Sequence, residues 1–297
     1  AYDSCRLVSI NLKNLVKSPF KNPEFDFEKL HDVATKAMRL SDDLVELEIE
    51  KLENIIKASD TRDEKELWES LLKACKDGRR TGLGTHGLAD AIACMNLRYD
   101  SKEAVEVIGK IYETLRNAAY MESVSLAMER GSFEVFDWEK EKDNEYIKRL
   151  PKNIRQAIEK YGRRNISILT NAPTGSVSIM SQTSSGLEPV FRNSYKRRRK
   201  LSHNEKGVTP DYVDELGDKW LEYNVFHHNV QDWCDLQEGW SDELELPDIF
   251  VESDQIDWQK RIDVQAAIQN NIDHSISSTI NLPKGTEPSV VGDLYLE

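Results

Sequence analysis

Between Asn171 and Phe191 the chain reads NAPTGSVSIMSQTSSGLEPVF, a stretch crowded with small and hydroxyl-bearing residues. It follows the apolar run Ile166-Ser167-Ile168-Leu169, so the pattern predicts a strand turning into a helix. Gly175 would let the backbone approach a ligand closely, and Thr174, Ser176 and Ser178 add hydroxyl donors. Unpaired amides at a helix start attract anions, so the chemistry on offer at Thr174, Gly175, Ser176, Val177 and Ser178 is phosphate binding. No Gly-Lys-Ser/Thr follows, which excludes a Walker loop. A capped helix start without a ligand fits the same letters, and on local pattern alone it stays slightly ahead.

Cys5 opens an alternating run in which Val8, Ile10 and Leu12 share one face and Leu7, Ser9 and Asn11 the other. Taken alone, a single cysteine there reads as a small buried hydrophobe rather than a poised thiol. The other cysteines, Cys75, Cys94 and Cys234, are widely spaced and form no CxxC pair, which suits thiols in a reducing cytoplasm. His227-His228 with Cys234 matches no tetrahedral metal spacing and reads as ordinary surface and core. The basic run Lys196–Lys200 reads as a solvated charged segment.

These residues need elements to hold them. Short runs at Arg6–Leu12, Thr81–Gly87, Asn165–Thr170 and Ser277–Leu282 have strand character. Between them, helical spacing predicts helices over 26–59, 63–76, 100–131, 144–161, 210–223 and 257–274. Phe27, Leu30, Ala34, Ala37, Leu40, Leu44 and Leu47 form the apolar stripe of the first, with a break at Ser41-Asp42-Asp43. Asp100 with Glu103 reads as a capping box, and Gly131 as a terminator. Strands alternating with helices predict an α/β fold with largely parallel pairing. Ser202–Thr209 is the expected exposed loop.

The chain has 297 residues, and its 39% hydrophobic content suffices for a substantial core. A net charge of −13 argues against direct nucleic-acid binding, because phosphate backbones need clustered cations. No segment is apolar enough to span a membrane and no signal peptide is visible, so a cytoplasmic protein with no membrane partner is expected. The absent initiator Met and the ending GDLYLE predict a segment of a longer chain.

Five stretches together resemble the catalytic chain of ribonucleotide reductases, specifically the adenosylcobalamin-dependent class II. They are SCRLVSINL (4–12), GRRTGLGTHGLADAIA (78–93), ERGSFEVFDWEK (129–140), NAPTGSVSIMSQTSSGLEPVFRNSYKRR (171–198) and QAAIQNNIDHSISSTINLP (265–283). They occur in the family's order and cover nearly the whole chain.

The resemblance implies part of a ten-stranded α/β barrel, with residues 1–297 as a partial catalytic domain. It implies that Thr174-Gly175-Ser176-Val177 holds the phosphates of a ribonucleotide substrate. Cys5 becomes one of two redox-active thiols that form a disulfide as the ribose 2′-hydroxyl leaves as water. The family's Asn-x-Cys-x-Glu motif, which bears the radical cysteine just before the position of Tyr2, is not in this sequence. The implied partners are therefore the missing N-terminal half of the domain, on the same or a separate polypeptide, and a thioredoxin-like reductant. A homodimer is left open. The implied cofactor is adenosylcobalamin, from class alone, and the segment by itself should not turn over. Two other readings stay in play: a di-iron class I catalytic chain, and a non-catalytic scaffold that kept the fold.

Overall fold

The computed structural model describes residues 3–202, 205, 207–239 and 245–296. Strand β1 (Arg6–Asn11) leads through a small antiparallel pair, β2 (Val16–Lys17) and β3 (Glu24–Phe25), into helices α1 (Phe27–Ala58) and α2 (Arg62–Gly78). Strand β4 (Thr81–His86) is followed by α3 (Leu88–Cys94), α4 (Lys102–Arg130), α5 (Trp138–Glu141), α6 (Glu145–Lys148), α7 (Lys152–Tyr161) and α8 (Gly175–Ser181). Then come β5 (Ser194–Lys200), β6 (Tyr212–Val213), β7 (Lys219–Phe226), α9 (His228–Cys234), α10 (Trp258–Gln269) and α11 (Pro288–Leu296).

The helix ends follow local chemistry. Asp26 caps α1 by accepting from the Lys29 amide, and Thr61 caps α2 by accepting from Glu64. Gly131, at φ +83°, closes α4 as expected. The capping residue of α4 is Ser101 rather than Asp100: its side chain accepts from Ala104 N, while Asp100 is buried and pairs with Arg98 at 2.7 Å.

The expected α/β character holds. β1 pairs with β4 in parallel, in register from Arg6 opposite Thr81 to Asn11 opposite His86. Leu83 then bridges Leu169, and Asn171 bridges Ile276, both in parallel. The first three expected strands thus stand side by side in chain order, and the segment just before the fourth joins them at Ile276. The third is reduced to a single bridge, and the contact at Ile276 is another. Asp273 is the reason for the third, because its carboxylate accepts from the amides of Ile168 at 2.9 Å and Leu169 at 2.7 Å. Those amides are thereby withdrawn from any ladder.

One face of the sheet packs on α1 and α4, burying Ile10, Leu83, Leu30, Ile108, Ile111 and Leu115. The buried stripe of α1 differs from the expected one. It runs through Leu30, Ala34, Met38, Ser41, Asp42, Val45, Ile49 and Leu52, while Leu40 and Leu47 are exposed. Nor does the helix break at Ser41-Asp42-Asp43. Asp42 sits fully buried in mid-helix because Arg79 Nε (3.0 Å), Asn165 Nδ2 (3.0 Å), Arg130 Nη1 (3.2 Å) and Arg164 Nε (3.4 Å) converge on its carboxylate.

Three further expectations change. The helix over 144–161 is split into α6 and α7 by Pro151, whose preceding residue disfavours helical geometry. The helix over 210–223 is instead a hairpin: β7 pairs antiparallel with both β5 and β6. Asp214 makes the turn by accepting from the Leu216 and Asp218 amides, and Trp220, Tyr223 and Phe226 favour a pleated strand. No strand forms over 277–282. The expected loop over 202–209 lies partly outside the described residues.

Candidate active site

The parallel register fixes which residues share the open face of the sheet. Leu7 stands opposite Gly82 and Ser9 opposite Gly84, and all four point away from the helices that cover Ile10 and Leu83. Cys5, just before β1, lies on the same side. A Cβ at Gly82 would stand 2.3 Å from Cys5 Sγ, 2.7 Å from Thr170 Cγ2 and 2.9 Å from Leu7 Cδ2. At Gly84 it would stand 2.1 Å from the Thr170 carbonyl. Two glycines in β4 therefore let the cysteine and the 165–171 segment close over the strand. A cavity of about 270 Å³ results, lined by Leu7, Ser9, Gly82, Thr170, Thr174 and Val177 among others.

Asn171 anchors the entry to the loop. Its Oδ1 accepts from Thr85 N at 2.8 Å and Thr85 Oγ1 at 3.1 Å, deep in the protein. The chain then passes Pro173 into Thr174, which adopts the left-handed conformation at φ +56° and ψ +29°. For a β-branched residue that is a strained backbone, held because Gly186 N donates to its Oγ1 at 2.7 Å. No side chain caps the first turn of α8.

The Thr174–Ser178 loop is thus the expected strand-to-helix turn, but its residues divide. Thr174 and Val177 line the first cavity together with Gly82 and Thr170, the residues next to Cys5, and Ser178 lines a second cavity, whereas Gly175 and Ser176 are exposed. The hydroxyl inventory also shrinks. Thr174 Oγ1 donates to Pro173 O, and Ser178 Oγ donates to Gly175 O and meets Ser185 Oγ. Backbone amides and the Ser176 hydroxyl are what the loop has to offer an anion. Gly175 has ordinary φ, and a Cβ there would meet nothing within 4 Å, so neither conformation nor packing demands glycine.

Burial pushes the Cys5 thiol above its ordinary pKa, against the pull of Arg80 and Arg6. It is half-buried, while Cys75 and Cys94 are buried and pushed up to about 11 and about 12. All four cysteines are thiols.

The second cavity, about 480 Å³, adjoins the loop and is lined by Ser178, Ser184, Ser185, Glu188, Tyr195 and His227 among others. His227 is not an ordinary surface or core residue, because its Nε2 lies 2.6 Å from the fully buried Asp90. His86 is buried nearby, with Nδ1 2.8 Å from Ser9 Oγ, and burial pushes its pKa below the usual imidazole value. The basic run Lys196–Lys200 forms the exposed strand β5, where Arg198 pairs with Glu222 and Lys200 with Asp218.

Gly82, Gly84, Asn171 and the Asp90–His227 pair shape the site without having been singled out by their letters. Only the Gly-x-Gly of TGLGTH carried a signal, since glycines two apart in a strand clear one face. The other contacts join residues dozens of positions apart.

Comparison with known proteins gives the chain its family. The ribonucleotide reductase barrel-domain family matches residues 1–297. The vitamin B12-dependent ribonucleoside-diphosphate reductase of Mycobacterium tuberculosis is 26% identical over 295 residues, covering 99% of this chain and 37% of that protein. The enzyme of that name from Thermoplasma acidophilum is 28% identical over 284 residues, covering 95% and 32%. The ribonucleoside-diphosphate reductase large subunit of Plasmodium falciparum is 29% identical over 230 residues, covering 73% and 26%. The chain thus spans about a third of the length of these relatives. It belongs to the ribonucleotide reductase barrel-domain family.

Proposed function

We propose that residues 1–297 are part of the catalytic barrel of a class II reductase that converts ribonucleotides to 2′-deoxyribonucleotides. The carrying observation is the closure at Gly82, which sets the Cys5 thiol beside Gly82, Thr170 and Leu7, three residues that line one cavity together with Thr174 and Val177. In this reading the loop amides hold the substrate phosphates, and the ribose lies toward Cys5. Cys5 and a second thiol outside this chain each give up one electron and one proton. Their sulfurs join as a disulfide, the 2′-hydroxyl leaves as water, and the 2′-carbon gains hydrogen. A thioredoxin-like dithiol would restore the pair. The glycine at 175, which packing does not require, is explained if a phosphate approaches the backbone there.

Class II is favoured because the B12-dependent relatives match nearly the whole chain, whereas the Plasmodium large subunit matches 73% of it. When bound, adenosylcobalamin would supply the initiating radical. The described residues do not offer it an enclosed seat. Cavities of about 270 and 480 Å³, and an open groove of about 630 Å³, suit drug-sized ligands at most, well short of a corrin with its nucleotide tail. The cofactor therefore rests on the relatives, together with the remainder of the barrel.

The test is Cys5→Ser in the catalytically complete assembly, meaning residues 1–297 with the rest of the domain. Nucleotide binding should stay near normal while multiple turnovers vanish, and thiol reductants should not restore them. Full turnover by this variant would remove Cys5 from the reaction.

A further inference from the structure

The loop is braced from behind by the turn at residues 183–186. Thr183 N donates to Ser178 O at 3.0 Å, Ser185 Oγ meets Ser178 Oγ at 2.9 Å, and Gly186 N donates to Thr174 Oγ1 at 2.7 Å. That turn is itself moored to α3. Ser184 N donates to Asp90 Oδ2 at 2.5 Å, and Ser184 O accepts from Gly87 N at 3.0 Å. The other carboxylate oxygen of Asp90 is 2.6 Å from His227 Nε2.

Asp90 is fully buried, and among the described residues His227 is its only ion-pairing partner. A buried carboxylate is tolerated only when its oxygens are satisfied. His227 can satisfy it only from its own fixed place. Its backbone N donates to Asn193 O at 2.8 Å, closing the base of the β5–β7 hairpin, and Asn229 Nδ2 two residues on donates to Asp90 O at 3.2 Å. Among the described residues the buried hydroxyl of Ser184 has no hydrogen-bond partner, so the turn depends on its backbone bonds to Asp90 and Gly87. An unbroken series of contacts thus runs from His227 through Asp90, Ser184 and Ser185 to Ser178 and Thr174.

We propose that His227 is a positioning residue for the substrate's phosphates, acting through Asp90 and the 183–186 turn on the Thr174–Ser178 loop. This rests on reading that loop as the phosphate holder. With His227 gone, Asp90 keeps a buried charge with one oxygen unmet and turns toward water, and the turn follows it. The loop amides then lose their common aim, while contacts to ribose and base are untouched.

The experiment measures, in the catalytically complete assembly, the Kd of a nucleoside diphosphate and of the matching nucleoside by calorimetry. His227→Ala should weaken the diphosphate roughly tenfold, as expected for loss of one charge-assisted hydrogen bond, and leave the nucleoside unchanged. His227→Gln, which keeps an N–H donor, should recover most of the loss. His227→Asn, too short to reach Asp90 but still polar, replaces the alanine variant if that one fails to fold. Ser176→Glu provides the control on the loop itself, since its carboxylate would repel a phosphate held there. If Ser176→Glu selectively weakens the diphosphate and neither His227→Ala nor His227→Asn does, the positioning role is wrong and the loop reading stands. If Ser176→Glu leaves both ligands alike, the loop reading itself is wrong.

Discussion

The sulfur of Cys5 lies 2.3 Å from where a Cβ on Gly82 would stand. That closeness ties a backbone choice in β4 to the place of a thiol on the neighbouring strand. Gly82→Ala should cost about 1–3 kcal/mol through overpacking and should push the thiol away from the cavity. Urea unfolding gives the first quantity, and the change in Cys5 alkylation rate gives the second. Gly109→Ala is the matched control, because its Cβ would meet nothing within 4 Å in mid-α4. It should stabilise by roughly 0.5–1 kcal/mol. Equal effects at both glycines would contradict the packing account.

The same glycine shows what the sequence disclosed. Alternation of strand and helix, the stop at Gly131, and the turn at Thr174 are local, and the letters carry them. Asp42 was misread because Ser-Asp-Asp usually starts a helix, and the four side chains that bury it mid-helix come from residues 79 to 165. The strand at 165–170 lost its ladder to Asp273, about a hundred positions away. The hairpin ending in β7 was missed for a different reason. Its polar–apolar alternation is short, and its turn rests on two residues, Asp214 and Gly217, within a stretch that also fits helical spacing. The candidate site divides likewise: the loop was legible, and its support from Asn171, Asp90 and His227 was not.

Thiol reactivity should follow burial. Desolvation raises the Cys5 pKa, so less thiolate is present near neutral pH than for an ordinary cysteine. Alkylation of the folded protein by iodoacetamide should therefore be slow at pH 7.5 and still climbing between pH 8.5 and pH 9.5. Cys5 should react before Cys75 and Cys94, which are buried and lie higher still, near 11 and 12. Peptide mass mapping against pH reads both orders. A plateau in Cys5 labelling below pH 8.5 would contradict the desolvated setting.

The Asp42 cluster should dominate the electrostatic share of stability. Arg79 and Arg164 are both buried beside it, and burial lowers the Arg164 pKa, with Arg79 adding repulsion. Asp42→Asn removes the charge that reconciles them and should cost about 3–5 kcal/mol, the scale for breaking a buried ion pair. Glu66→Gln removes the partner of an exposed pair with Arg62 and should change stability by less than about 1 kcal/mol. Urea midpoints at constant m-value separate the two. A cost at Asp42 no larger than at Glu66 would mean that the cluster is well hydrated.

The open side of the sheet should dock the rest of the barrel. β1 pairs with β4 along one edge, and no described strand pairs its other edge. An uncovered edge exposes a row of backbone donors and acceptors. Beside it lies an apolar groove of about 630 Å³, in which Leu7, Leu44 and Leu47 are flanked by Arg6, Glu48 and Lys51. Leu47 is 61% exposed, so the part of the α1 stripe that was expected to be buried lacks a cover. The proposed N-terminal half of the barrel would supply both a strand for the edge and side chains for the groove. The proposed reaction asks for the same half independently, since a radical cysteine must come within contact distance of the ribose. Adding that half, in the same chain or as a separate polypeptide, should raise the melting temperature by several degrees. It should also create cobalamin-dependent reductase activity. Leu47→Glu should weaken both effects together, because a charge in the groove opposes docking. If residues 1–297 alone reduced a ribonucleotide, the groove would need another occupant and the radical thiol another source.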